Sequence, residues 1–134
     1  MVRRALGIAV LFLLSPSGTP LIAAPQSFDI RSVKVEKDVQ WRSDPNGHQT
    51  PEQCARFHLT GHAALRWFRR AHEVTQHDWL ERLDWTQCSA SGTLSTADGH
   101  VYPWELDESG RAEIRLSPTV SVYLSGPELP FSAR

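Results

Sequence analysis

Between residues 85 and 124 apolar and polar residues alternate in four short runs, each cut from the next by a Gly- or Pro-bearing break. The first run carries Cys88, Ala90 and Leu94 in one phase; the second Tyr102, Trp104 and Leu106; the third Ala112, Ile114 and Leu116; the fourth Val120, Val122 and Leu124. A period of two places alternate side chains on opposite faces of a strand, so each run reads as a strand with one buried and one wetted face. The breaks are Asp98-Gly99, Ser109-Gly110 and Ser117-Pro118, short enough that successive strands must return antiparallel. A doubly wound parallel fold is excluded, because parallel neighbours need long crossovers.

Upstream, Phe28, Ile30, Val33, Val35, Val39 and Trp41 also recur mostly at period two. A slip of phase between Ile30 and Val33 predicts a bulge or two abutting strands. Ser43-Asp44-Pro45-Asn46-Gly47 has turn chemistry, and the stretch to Pro51 reads as loop. A second short strand is then expected to turn Ala55, Phe57 and Leu59 to one side. Thr60 suits a helix N-cap, and Ala64, Leu65, Phe68, Ala71 and His72 follow at helical spacing opposite Arg66, Arg69, Arg70 and Glu73. These residues predict one amphipathic helix of about three turns, stopped by the β-branched pair Val74-Thr75. Residues 76–83 fit a helical turn or a loop equally. The expected class is α+β: an antiparallel meander with one main α-helix packed on one face.

The amino terminus reads as an export signal. Arg3 and Arg4 precede an apolar run over residues 5–14, too short to span a bilayer, which breaks at Ser15-Pro16 before a small-residue stretch. Cleavage is expected near Ala23 or Ala24, with Ala23 favoured because Pro25 would directly follow a cut at Ala24. Residues 1–23 are thus assigned to the signal and residues 24–134 to a single exported domain, which places the protein in the periplasm or outside the cell. No cysteine precedes Cys54, so a lipid-modified amino-terminal cysteine is excluded. Loss of Arg3 and Arg4 from a chain with 14 basic and 15 acidic side chains leaves it slightly acidic. Without a basic stripe it has little to offer nucleic-acid phosphates.

Cys54 and Cys88 lie 34 positions apart. In an oxidising compartment they predict one intramolecular disulfide, worth roughly 3 to 4 kcal/mol by loop closure. A redox pair would place its cysteines much closer together.

Cys54-x-x-Phe57-x-x-Thr60, Trp67-Phe68-Arg69-Arg70-Ala71-x-x-Val74, Cys88 followed by Gly92, Asp98-Gly99, Trp104, Val122-Tyr123-Leu124 and Pro130-Phe131 occur in this order. Together they resemble the pattern of a family of small exported bacterial proteins of unassigned function. The resemblance covers most of the expected exported chain and implies a shared scaffold, without a ligand or a reaction.

Three constellations carry possible chemistry. Asp78, Glu81 and Asp84 interleave with Trp79 and Trp85. Two carboxylates beside an aromatic ring suit glycoside hydrolysis, and an exposed Trp flanked by charge suits a partner or glycan contact. Of the five tryptophans, Trp41 and Trp104 are in phase with apolar neighbours and Trp67 borders the helix stripe, so these are expected in the core. Trp79 and Trp85 lack such a pattern and are the candidate contact residues. Finally, His58 and His62 lie four apart, with Cys54 four before His58. On one continuous helix the three would suit zinc or copper, although the helix is expected to begin only at Thr60 and Cys54 to be paired.

No G-x-S-x-G elbow, phosphate loop or H-E-x-x-H is found, and no cofactor fingerprint. The sequence is therefore expected to encode a non-enzymatic binding protein without cofactor or stable membrane insertion. It would act as inhibitors and immunity proteins do, by occluding a protein partner in the cell envelope. A carbohydrate or cell-wall module and a small metal-binding protein are the alternatives.

Overall fold

Four successive strands form the centre of the sheet, as the alternation demands: β4 (Cys88–Thr96), β5 (Val101–Asp107), β6 (Arg111–Arg115) and β7 (Ser121–Ser125). This is a computed structural model that describes residues 29–129 and 132–133. The expected signal over residues 1–23 lies outside the described residues, as do Phe28 and Pro130-Phe131. The long β1 (Ile30–Trp41) pairs with β4, and the short β3 (His72–Val74) pairs with β7. The result is a six-stranded antiparallel sheet ordered β1-β4-β5-β6-β7-β3. Gly99 and Gly110 both adopt positive φ in their hairpins, the conformation for which the turn needs glycine. At Gly110 the crowding is as strict as the dihedral, since a Cβ there would lie 2.5 Å from the Gly126 and Pro127 carbonyl oxygens.

The expected phase slip in β1 is real. Its pairing with β4 shifts between Ile30 and Ser32, between Val35 and Lys37, and between Lys37 and Gln40. Gly92 is required beside the second shift, where a Cβ would stand 1.9 Å from the Lys34 carbonyl oxygen.

The described residues are mostly β, with three short helices among them in place of the one main helix expected: α1 (Pro51–Cys54), α2 (Gly61–Arg70) and α3 (Gln76–Glu81). α2 is the predicted amphipathic helix, capped by Thr60, whose hydroxyl accepts the Ala63 N–H. It ends at Arg70, earlier than its periodicity suggested, because residues 72–74 are taken up by pairing with β7. His72, expected on the apolar stripe, is consequently exposed. The strand expected through Ala55, Phe57 and Leu59 also needs correction. α1 occupies its approach, and only β2 (His58–Leu59) is extended, pairing in parallel with β8 (Ser132–Ala133). Thr50-Pro51-Glu52-Gln53 is a capping box with Pro in the first turn, the local chemistry that starts a helix.

The core lies between α2 and one face of the sheet. Ala63, Ala64, Trp67 and Phe68 are buried against strand residues that include Ala90, Leu94, Trp104, Leu106 and Ile114. Phe68 makes edge contacts with Trp67 at 5.2 Å and with Trp104 at 5.4 Å between ring centroids. Cys54 and Cys88 are joined by the expected disulfide, with Cα atoms 5.0 Å apart. The bond ties the end of α1 to the start of β4. Trp41, expected in the core, is 39% exposed. It sits at the last rung of β1, opposite Cys88, where its Nε1 donates to the Gln49 carbonyl at 2.9 Å and pins the following loop. Among the described residues no helix is long and apolar enough to cross a membrane.

Candidate functional site

The phase that buries Trp104, Leu106, Ala112 and Ile114 turns Glu105, Asp107, Arg111 and Glu113 to the opposite, outer face. Strand register then aligns them. Lys37 pairs with Ser91, Ser91 with Glu105, Glu105 with Glu113, and Glu113 with Tyr123, in one row across five strands. One rung away Gln40, Ser89 and Asp107 form a second row.

α3 lies on this outer face. Its Trp79 packs on Tyr123 at 5.1 Å between ring centroids and receives the Arg111 guanidinium 3.9 Å from its ring centre. The Trp79 Nε1 donates to the Ala112 carbonyl at 3.0 Å. With the 82–87 connection, α3 closes one end of the polar face into a cleft of ≈ 150 Å³. Its aromatic walls are Trp79 and Trp85; its polar lining includes Gln87, Ser89, Glu105 and Glu113, with Arg42 reaching in from the end of β1.

Asp107 fixes the frame of the cleft. Its carboxylate accepts from the Ser109 hydroxyl, from the Thr86 and Arg111 backbone N–H groups and from the Arg111 Nε at 3.3 Å. Arg111 in turn donates from Nη1 to the Trp79 carbonyl at 3.1 Å. Burial pushes the Asp107 carboxyl above the usual range, against the lowering effects of the Ser109 hydroxyl and the Arg111 charge. Gln87 serves the opposite wall. It is 3% exposed, and its side chain accepts from the Gln49 N–H and donates to the Arg42 carbonyl, both at 2.8 Å. The Arg42 backbone is held from the same stretch, by its N–H to the Gln87 carbonyl at 2.9 Å.

Two of the five predicted contact residues line the cleft. Trp85 is 38% exposed at its rim. Trp79 is half-buried and already carries a guanidinium, so it braces the wall. Asp78 stands in the first turn of α3, where its N–H is capped by Thr75 and its carboxylate pairs with Arg82 at 3.3 Å. Glu81 and Asp84 are exposed, and the Asp84 backbone carbonyl lies 2.8 Å from the Ser109 hydroxyl oxygen, whose single proton it shares with Asp107. These three carboxylates are not among the cleft residues. The carboxylates inside it are Asp44, Glu105, Asp107 and Glu113. The signal for the last three was their position out of phase with the apolar residues of β5 and β6.

The His58 Nδ1 lies 3.3 Å from an Asp38 carboxylate oxygen, and His62 is exposed in the first turn of α2. The Cys54 sulfur is consumed by the disulfide. Among the described residues no group of three or more His, Cys, Asp or Glu side chains is gathered for a metal ion. No protein-family model matches the chain, and no curated protein or solved structure matches it either.

Proposed function

We propose that this is an exported, non-enzymatic recognition protein of the periplasm or extracellular space, which occludes a protein partner in the cell envelope with the outer face of its sheet. The size of this cleft, which is more enclosed than the larger open depressions beside α1 and along β1, carries this reading. Sites for small molecules and cofactors usually measure about 300–1,000 Å³, whereas this cleft has ≈ 150 Å³, room for a single anchoring side chain. A rigid pocket that seats one side chain, beside an exposed Trp, is how protein interfaces concentrate their binding energy. The frame is preorganised by the hydrogen bonds of Asp107 and Gln87, which lowers the ordering cost of binding. The same bonds commit Asp107 to structure rather than proton transfer, and Asp78, Glu81 and Asp84 lie outside the cleft.

Capture from an envelope extract with the immobilised protein tests this directly. A saturable protein partner, displaced by soluble protein and lost on Trp85→Ala, is expected; repeated failure to retain any protein overturns the reading. A cell-wall carbohydrate module draws support from Trp85 alone, with Gln87, Ser89 and Glu105 as hydrogen-bonding neighbours. Sedimentation with insoluble peptidoglycan separates the two. The metal-binding reading loses its thiolate, because Cys54 is held in the disulfide.

A further inference from the structure

Glu105 and Glu113 stand directly opposite each other on adjacent strands, both inside the cleft. Like charges in that position repel, and a cation between or beside them relieves the cost. The cation now supplied is internal. Arg42 follows β1, and its side chain crosses β4 to form an ion pair with Glu105. Glu113 accepts from the Ser121 hydroxyl at 2.6 Å, while the Arg115 guanidinium is no closer than 3.9 Å. The Arg42 side chain is 69% exposed and that of Glu105 37%. A solvated pair of this kind contributes little to stability and is readily exchanged. If Arg42 turns out to solvent, Asp44 and Glu105 remain without a cation, Glu113 keeps only the outlying Arg115, and Arg111 is already neutralised by Asp107.

The cleft also displays the geometry that a second cation would take. Arg111 holds its guanidinium over the Trp79 ring while bonding a carboxylate, whereas among the described residues no such cation is seen over the more exposed Trp85. A planar guanidinium can lie on an indole and present a fork to a carboxylate at once, and an ammonium cannot.

From these observations, and resting on the protein-recognition reading above, we infer that the cleft takes one arginine side chain of the partner, which displaces Arg42 from Glu105 and lies along Trp85. Arg42 is an internal competitor, holding the site in a charge-balanced state until a better-placed guanidinium arrives. The partner's contact loop is therefore basic at its tip, matching the acidic lining.

The test is a titration of the purified protein with a blocked pentapeptide, Gly-Ser-Arg-Ser-Gly, followed by tryptophan emission, beside twins carrying citrulline or lysine at the centre. Saturable quenching is expected with the arginine peptide, at least tenfold weaker with citrulline and weaker with lysine. Glu105→Gln should reduce the arginine affinity. Arg42→Gln should raise it by roughly two- to fivefold, the strength of an exposed pair, a gain that a merely structural Arg42 would not give. Equal binding of the arginine and citrulline peptides, or an Arg42→Gln variant that binds no better, overturns the inference. Circular dichroism confirms that both variants fold. The captured envelope partner separates the two readings: affinity for it that ignores Arg42→Gln and Glu105→Gln removes the arginine site and leaves protein recognition intact. Arginine-selective peptide binding without any envelope partner upholds the site and removes the recognition reading.

Discussion

The two faces of the central strands are written in alternate residues of the same segments yet obey different physics. On β5, Trp104 and Leu106 face α2 and are buried, while Glu105 and Asp107 face the cleft. The inner face is held by shape: aromatic edges, small alanines and a disulfide, with Trp104 Nε1 left without a hydrogen-bond partner. The outer face is held by directed bonds, and Asp107 alone gathers four. The face that carries stability thus tolerates an unmet donor, whereas the face available for recognition has its buried carboxylate fully met. Stability and binding should accordingly separate by mutation.

The largest loss is expected on the inner face. Phe68→Ala removes the ring between Trp67 and Trp104 and should cost about 3–5 kcal/mol, as large-to-small core changes do, measured by urea or guanidinium unfolding. A loss below about 1 kcal/mol would show that α2 is not the lid of the core. Next is the Cys54→Ala/Cys88→Ala pair. Opening a loop of 34 positions should cost roughly 3 to 4 kcal/mol on the loop-closure model. The mass of the native protein should rise by two hydrogens on reduction. Free thiols in protein taken from the envelope would contradict the disulfide directly.

How much of this division was legible in the sequence depends on element length. β4 to β7 each hold enough residues for period two to show, and Asp98-Gly99 and Ser109-Gly110 mark hairpins whose glycines do take positive φ. α1, β2 and β3 have four residues or fewer, too few for any period, and they form because neighbouring chain supplies partners. The capping box at Thr50 was readable in principle; the pairing of β3 with β7 was not. The cleft suffered from a different blindness. Asp78, Glu81 and Asp84 drew attention because they are close in sequence, but a sheet brings together residues by register. Arg42 and Glu105 are 63 positions apart, and nothing local to either announces the other. Trp85 stands out in the sequence because it lacks a phase, whereas Gln87 does not, since a lone buried glutamine carries no pattern at all.

A third prediction probes the bonded network of the outer face. Asp107→Asn retains the shape but weakens the bonds to Arg111 and should cost about 2 kcal/mol near neutral pH, the scale of a hydrogen bond to a charged group. Its pH dependence is the sharper reading. The folded Asp107 carboxyl lies above its ordinary 3.8 because burial penalises the charge. The folded state therefore binds the proton more readily than the unfolded state, and Asp107 adds stability as pH falls through its folded pKa toward 3.8. The asparagine variant lacks that gain, so the stability gap between wild type and variant should widen on acidification from pH 7 toward about 4.5. A gap that closes instead would mean that Arg111 outweighs burial. Asp98 works in the opposite sense. The Thr96 hydroxyl and the His100 N–H hold it down to about 2, so its contribution is present above 3.8 and is lost only as pH falls from there toward 2. Comparison of wild type with Asp107→Asn above pH 4 keeps that second titration out of view.

The smallest expected effect bears most on function. If the outer rim is built to exchange partners, the pair that now spans the cleft must be weak in the free protein. A double-mutant cycle of Arg42→Gln and Glu105→Gln, read by chemical unfolding, should give a coupling of about 0.2–1 kcal/mol, small beside the loss expected at Phe68. Trp85→Ala, at a position 38% exposed, should likewise change stability by no more than about 0.5–1 kcal/mol, between a neutral surface change and a partly buried ring. Coupling above about 2 kcal/mol would make the Arg42–Glu105 pair a structural strap rather than an exchangeable one, because a competing guanidinium would first have to overcome a preference of nearly thirtyfold. A weak coupling leaves the incoming arginine free to be decided by what it gains from Trp85 and Glu113, groups that Arg42 is not seen to engage.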